Sequence, residues 1–248
     1  MWYVPAGVAV LAAVIFATGF YSFARGDIGE LVGPTPTRAV IASPPPRGEI
    51  VPIVIGDSLA RGTGDQSGLG IGGRLVEDLQ KTRPNVKGVV NIAVNGSRTR
   101  DVEEQLTSHN VQVLIAQSNV IIVSIGGNDL WGSTDGRVVQ MRNPNVIMNQ
   151  VLDRVTTIVT TVRHINPTAR IFLIGLYNPF VSAPFGRALT TLVNHWNATV
   201  TERFATDPNF TLVETSDLFS HRDRLSFDRF HPNDEGYALI ARRIADSL

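Results

Sequence analysis

The chain has 248 residues, 43% of them hydrophobic, which is enough to bury a core and too apolar for a disordered chain. Twenty-two basic residues balance 22 acidic ones, so no net field draws the protein to nucleic acid or to an anionic surface. Cysteine is absent, which excludes a disulfide framework, a thiolate-ligated metal centre and a cysteine nucleophile.

In chain order, residues 1–24 carry no Asp, Glu, Lys or Arg. The apolar stretch is long enough for a bilayer, which takes ~20 helical residues, and Trp2, Tyr3 and Tyr21 suit the interfacial belts. The competing reading is a cleaved secretory signal, with Ser22-Phe23-Ala24 as a small-x-small cleavage site. Residues 1–25 are therefore expected to be a hydrophobic helix acting as transmembrane anchor or signal segment. Arg25 favours a cytoplasmic body by the positive-inside rule. Export is the expectation adopted nonetheless, because tethers of this kind serve exported enzymes. Residues 26–48 hold Pro34, Pro36, Pro44, Pro45 and Pro46, the composition of a semi-rigid polyproline spacer.

Residues 49–248 read as one domain. Short continuous apolar runs occur at Ile50–Ile55, Val86–Ile92, Val120–Ile125, Arg170–Leu176 and Phe210–Glu214, as expected of strands buried on both faces. Helical patterns lie between them at Gly73–Thr82, Arg100–Ser108, Val146–Ile165 and Arg187–Ala205, and Asn233–Ser247 closes the chain. This alternation predicts a parallel sheet with helices on both faces, and in such sheets the working groups sit just past the carboxyl ends of strands.

Four of those ends carry chemistry. After the first strand comes Gly56-Asp57-Ser58-Leu59, where Ser58 can project its hydroxyl into a cleft, although Ser and Asp there also serve as turn and cap residues. After the second comes Asn91 to Ser97, where Gly96 can offer an unshielded backbone N–H to an anion or simply form an Asn-Gly turn. After the third comes Gly126-Gly127-Asn128-Asp129, whose bend can aim the Asn128 amide at a developing charge. Ahead of the last helix stands Asp228-Arg229-Phe230-His231-Pro232. Asp228 can fold back onto the imidazole, fix its tautomer and leave the other ring nitrogen as a base, while Pro232 is expected to start the helix.

In this order the four blocks resemble the SGNH hydrolases, also called the GDSL esterase/lipase family, from residue 56 to residue 237 including the HPNDEGY ending. The resemblance implies a flavodoxin-like three-layer α/β/α sandwich on a five-stranded parallel sheet. It implies hydrolysis of carboxylic esters through an acyl-enzyme, without metal or cofactor. Ser58 would be the nucleophile, His231 the general base and acid, and Asp228 the orienting carboxylate. The backbone N–H groups of Ser58 and Gly96 with the Asn128 side chain would form the oxyanion hole.

The implied partners are a small-molecule or lipid ester, with the membrane touched only through the N-terminal segment. Trp131, Tyr177, Phe180 and Phe185 are candidates for an apolar acyl wall, and the lack of a wide apolar lid favours short acyl chains. The sequon at Asn95 would put a glycan beside the oxyanion donors, which suits a bacterial host.

Two rival readings are a metal-dependent phosphoesterase using Asp57, Asn128, Asp129 and His231, and a non-catalytic binding domain on the same fold. The string Gly68-Leu69-Gly70-Ile71-Gly72-Gly73 fits the dinucleotide fingerprint, but it lies too far past the strand and lacks a following acidic residue. It reads as a flexible glycine loop.

Overall fold

A computed structural model describes residues 3–24, 45–131, 144–220 and 222–248. The chain divides into two compact units, Met1–Ile41 and Ala42–Leu248. The first contains helix α1 (Tyr3–Ala24). Among the described residues no helix is long and apolar enough to cross a membrane, so the transmembrane expectation is not supported. Residues 26–44 of the expected linker lie outside the described residues.

The second unit runs β1 (Pro52–Gly56), α2 (Ser58–Arg61), α3 (Gly70–Gln80), β2 (Val90–Asn91), α4 (Thr99–Gln105), α5 (His109–Ala116), β3 (Val120–Ser124), α6 (Gly127–Trp131), α7 (Pro144–Ile165), β4 (Arg170–Ile174), α8 (Gly186–Arg203), β5 (Phe210–Val213), a 3-10 turn (Arg222–Arg224) and α9 (Asp234–Asp246). The five strands form one parallel sheet in the order β2-β1-β3-β4-β5. Pro52 to Gly56 lie opposite Val120 to Ser124 with no slip, so β1 and β3 end at the same level. The chain runs one way from β1 to β2 and the other way from β3 onward. A crevice opens at such a reversal, beyond the strand ends.

Side chains alternate along each strand, and both faces are apolar. Ile53, Ile55, Ile121, Val123, Ile171 and Leu173 face one core. There they meet Val155, Ile158, Val159 and Val162 of α7 and Val193, Trp196 and Val200 of α8. Val54, Ile122, Phe172 and Ile174 face the other, against Ile71, Leu75 and Leu79 of α3 and Tyr237, Ile240, Ala241 and Ile244 of α9. The helical residues recur three to four apart, the stripe of an amphipathic helix. Each such side chain contributes about 1.5–3 kcal/mol when fully buried. The result is the expected three-layer sandwich.

Two local expectations change. The second strand shrinks to Val90–Asn91 plus an isolated bridge between Ile50 and Val86, because it is an edge strand interrupted by Lys87-Gly88. The glycine-rich string is not a flexible loop: Gly70, Gly72 and Gly73 lie inside α3. A Cβ on Gly72 would stand 2.7 Å from Cγ2 of both Val54 and Val89. Absence of a side chain there lets α3 settle against the sheet. Gly72→Ala should therefore lower stability by about 1–3 kcal/mol through overpacking, outweighing the ~1 kcal/mol gained in helix propensity. Urea unfolding checks this; a midpoint at or above the parent's would contradict the close-packing account.

Candidate active site

The site is built on the carboxyl ends of β1 and β3 and on the turn before α9. Gly56, the last residue of β1, has φ +135°, and a Cβ there would fall 1.9 Å from the Ser124 carbonyl oxygen. Only glycine lets the two strands end so close together. Asp57 then caps α2: its Oδ1 accepts from the amides of Leu59 at 3.1 Å and Ala60 at 3.4 Å, and from the Ser124 hydroxyl at 3.0 Å. The cap leaves out the amide of Ser58, the first residue of the helix. Asp57 is 7% exposed. Burial pushes its carboxyl up to about 6, against the opposing pull of the Ser124 hydroxyl and the two amides.

The turn before α9 is shaped by Asp228. Its Oδ1 accepts from the Ser226 hydroxyl at 2.7 Å and from the amides of Phe230 and His231, both at 2.9 Å. Arg229 completes the turn with φ 57°. The other oxygen, Oδ2, lies 2.6 Å from His231 Nδ1. Partial burial alone would raise this carboxyl, but the hydrogen bonds from His231, Ser226 and the two amides win and hold it at about 2. An ionised carboxylate accepts only, so Nδ1 carries the imidazole proton and Nε2 is the acceptor. Ser58 Oγ lies 2.7 Å from Nε2 and donates to it. The turn also corrects one expectation. Pro232 precedes the helix rather than starting it; Asn233 is the cap, its Oδ1 accepting from the Gly236 amide at 3.0 Å.

Asp57, Ser58, Ser124, Asn128, Ile174, Gly175, Leu176, Tyr177, Pro179, Phe230 and His231 are among the residues around one cleft. The sheet thus brings Ser58, Asn128, His231 and Tyr177 together. Gly96 does not line the cleft, but its loop is joined to it: φ at Gly96 is +81°, and Asn128 Nδ2 donates to the Ser97 carbonyl at 2.9 Å. Tyr177 is an acyl-wall candidate whose hydroxyl is spoken for, donating to the Phe230 carbonyl at 2.6 Å. Phe180 stands one ring back, 5.9 Å from Phe230 and from Phe185. The Trp131 side chain and His221 lie outside the described residues.

Several residues at the site were not identified from the sequence. Ser124 is an unremarkable strand residue until β3 places it under Asp57. Thr99 binds the Asp129 carboxylate through both its amide and its hydroxyl. Tyr237 sends its hydroxyl 2.7 Å to the Thr63 carbonyl, pinning α9 to the loop after the Ser58 helix. These pairings link positions 30 to 174 residues apart, which local pattern cannot reveal. The proposed phosphoesterase ligands are each engaged elsewhere: Asp57 by Ser124 and two amides, Asn128 by Ser97, Asp129 by Thr99, His231 by Ser58 and Asp228.

Comparison with known proteins identifies the family. The model of the GDSL-like Lipase/Acylhydrolase family matches residues 54–239. YpmR of Bacillus subtilis (strain 168) is 30% identical over 207 residues, covering 80% of this chain and 81% of its own. Among solved structures, a lipase from a goat rumen metagenome matches with TM-score 0.70 at 20% identity, covering 80% of this chain and 97% of that one. An acetyl xylan esterase from Geobacillus stearothermophilus matches with TM-score 0.58 at 21% identity, covering 80% and 94%. At those identities the structures speak for the fold, and the family model for the chemistry. The chain belongs to the GDSL-like lipase/acylhydrolase family and is a carboxylic ester hydrolase.

Proposed function

We propose that the protein is a serine esterase that hydrolyses short-chain acyl esters through Ser58, His231 and Asp228 and an acyl-enzyme. The observation that carries this reading is the continuous hydrogen-bonded chain from Ser58 Oγ through His231, 2.7 Å on one side, to Asp228 Oδ2, 2.6 Å on the other.

A serine hydroxyl is a weak nucleophile, and Nε2 is in position to take its proton as Oγ attacks the ester carbonyl. Negative charge then grows on the carbonyl oxygen, where the Ser58 and Gly96 amides and Asn128 Nδ2 supply donors without a metal. The Asp228 carboxylate stabilises the imidazolium that forms. His231 returns the proton to the leaving alkoxide, which departs as alcohol. Water, deprotonated by the same nitrogen, attacks the acyl-enzyme and releases the acid. Ile174, Leu176, Tyr177 and Phe230 around the cleft support an acyl-binding role for it.

Ser58→Ala should lower kcat by at least about 10³-fold with an unchanged melting temperature; retained turnover would remove Ser58 from its role. In a series of 4-nitrophenyl esters, kcat/KM should peak at acetyl to butyryl and fall at least about tenfold, ~1.4 kcal/mol, by octanoyl. A maximum at long chains would contradict the short-chain assignment.

The buried Asp57 carboxyl sets a pH expectation. Asp57, raised to about 6 from an ordinary 3.8, favours the folded state in its protonated form, so its contribution to stability is present below 3.8 and lost as pH rises through 6. Asn caps a helix as well as Asp and carries no charge to bury. Asp57→Asn should therefore gain up to ~3 kcal/mol on the parent between pH 4 and pH 8, read by urea unfolding at both values. An equal difference at the two pH values would contradict the buried-charge account.

A further inference from the structure

We infer that Asp129 is a positioning residue of the oxyanion hole, clamping the Gly96 turn against Asn128 through Thr99. The inference rests on the proposed function and adds to it a residue outside the acid–base chain and the three donors.

The segment from Val94 to Thr99 presents the Gly96 amide and is tied down at both ends. At its start, the Val94 amide donates to the Gly56 carbonyl at 2.9 Å, beside the nucleophile. At its finish, Thr99 is fully buried, and its amide and hydroxyl donate to the two Asp129 carboxylate oxygens at 2.9 Å and 2.7 Å. Between these ties, Asn128 Nδ2 donates to the Ser97 carbonyl at 2.9 Å. Consecutive residues of α6 thus grip one turn, Asn128 by a carbonyl and Asp129 by an amide and a hydroxyl. The donor on Gly96 and the donor on Asn128 belong to different strand ends, and Asp129 is what fixes their separation on the Asn128 side. Amide nitrogen atoms must stand about 2.7–3.1 Å from the developing oxyanion, so small displacements of the turn forfeit stabilisation. The carboxylate does not reach the ester. It acts only through the turn.

The test uses the full chain with 4-nitrophenyl acetate. Thr99→Val removes the hydroxyl at constant shape, Thr99→Ser keeps it, and Asp129→Ala removes both acceptors. Loss of one whole oxyanion donor commonly costs about 10²–10³ in kcat; a displaced donor should cost less. Asp129→Ala and Thr99→Val should lower kcat about 10- to 100-fold with KM within about twofold, while Thr99→Ser recovers most of the rate. Affinity for a phosphonate analogue of the tetrahedral state should fall in step with kcat.

Overturning results are a kcat in Thr99→Val within twofold of the parent, a fall in melting temperature with kcat kept, or a loss of rate carried by KM. Should Asp129→Ala not fold, Thr99→Val and Thr99→Ser decide the matter alone. A parallel Ser58→Ala arm separates the two claims: activity surviving there overturns the nucleophile assignment, whereas a flat Thr99 series with an inactive Ser58→Ala overturns only the clamp.

Discussion

The 2.7 Å hydrogen bond between Ser58 and His231 joins residues 173 positions apart, and much of the fold exists to close that distance. One end hangs on β1, a central strand buried on both faces. The other hangs on the turn before α9, which packs against α3 under the same face of the sheet. Neither end is free to drift. Asp57 caps the helix that carries Ser58 and hooks it to β3 through Ser124. Tyr177 from the loop after β4 holds the Phe230 carbonyl, and Tyr237 from α9 holds the Thr63 carbonyl. The latter bond runs directly between the surroundings of Ser58 and those of His231. Parallel strands of matched register supply the common level; buried side-chain hydrogen bonds supply the last ångström.

Two aspartates near the imidazole illustrate how surroundings divide one residue type into different roles. Asp57 is sealed under the cleft, and burial dominates its ionisation. Asp228 is only partly buried, and its four hydrogen bonds dominate instead. Desolvation and donor count are separate causes, and here they pull equal side chains in opposite directions. In the proposed mechanism Asp228 supports an imidazolium, whereas Asp57 serves the helix cap at some cost in stability at neutral pH.

Much of this was legible in the sequence. Runs such as Ile121–Ser124 and Arg170–Ile174 have no polar alternation, so they could only be strands buried on both sides. Ser58, Asn128 and His231 stood out because each follows a strand end or precedes a helix with chemistry to offer. What escaped was short or distant. Helices α2 and α6 span only a turn or so, too short for periodicity to register. α5 (His109–Ala116) begins a few residues after α4 ends and carries no clean polar face. The glycines of α3 were legible as glycines but not as packing, since nothing local says that Val54 and Val89 press against Gly72. Thr99 follows β2 and Asp129 follows β3, the two strands that flank β1, an order no local signal encodes.

Ile174, Leu176, Tyr177 and Phe230 give the cleft an apolar side. The central claim, that the hydroxyl of residue 58 is the nucleophile, is most directly tested by exposing the full chain to a fluorophosphonate and mapping the adduct by mass spectrometry. The account predicts a single stoichiometric phosphonyl group on the peptide containing Ser58, abolished by prior denaturation. An unlabelled protein that still hydrolyses esters, or an adduct on a different residue, would contradict it.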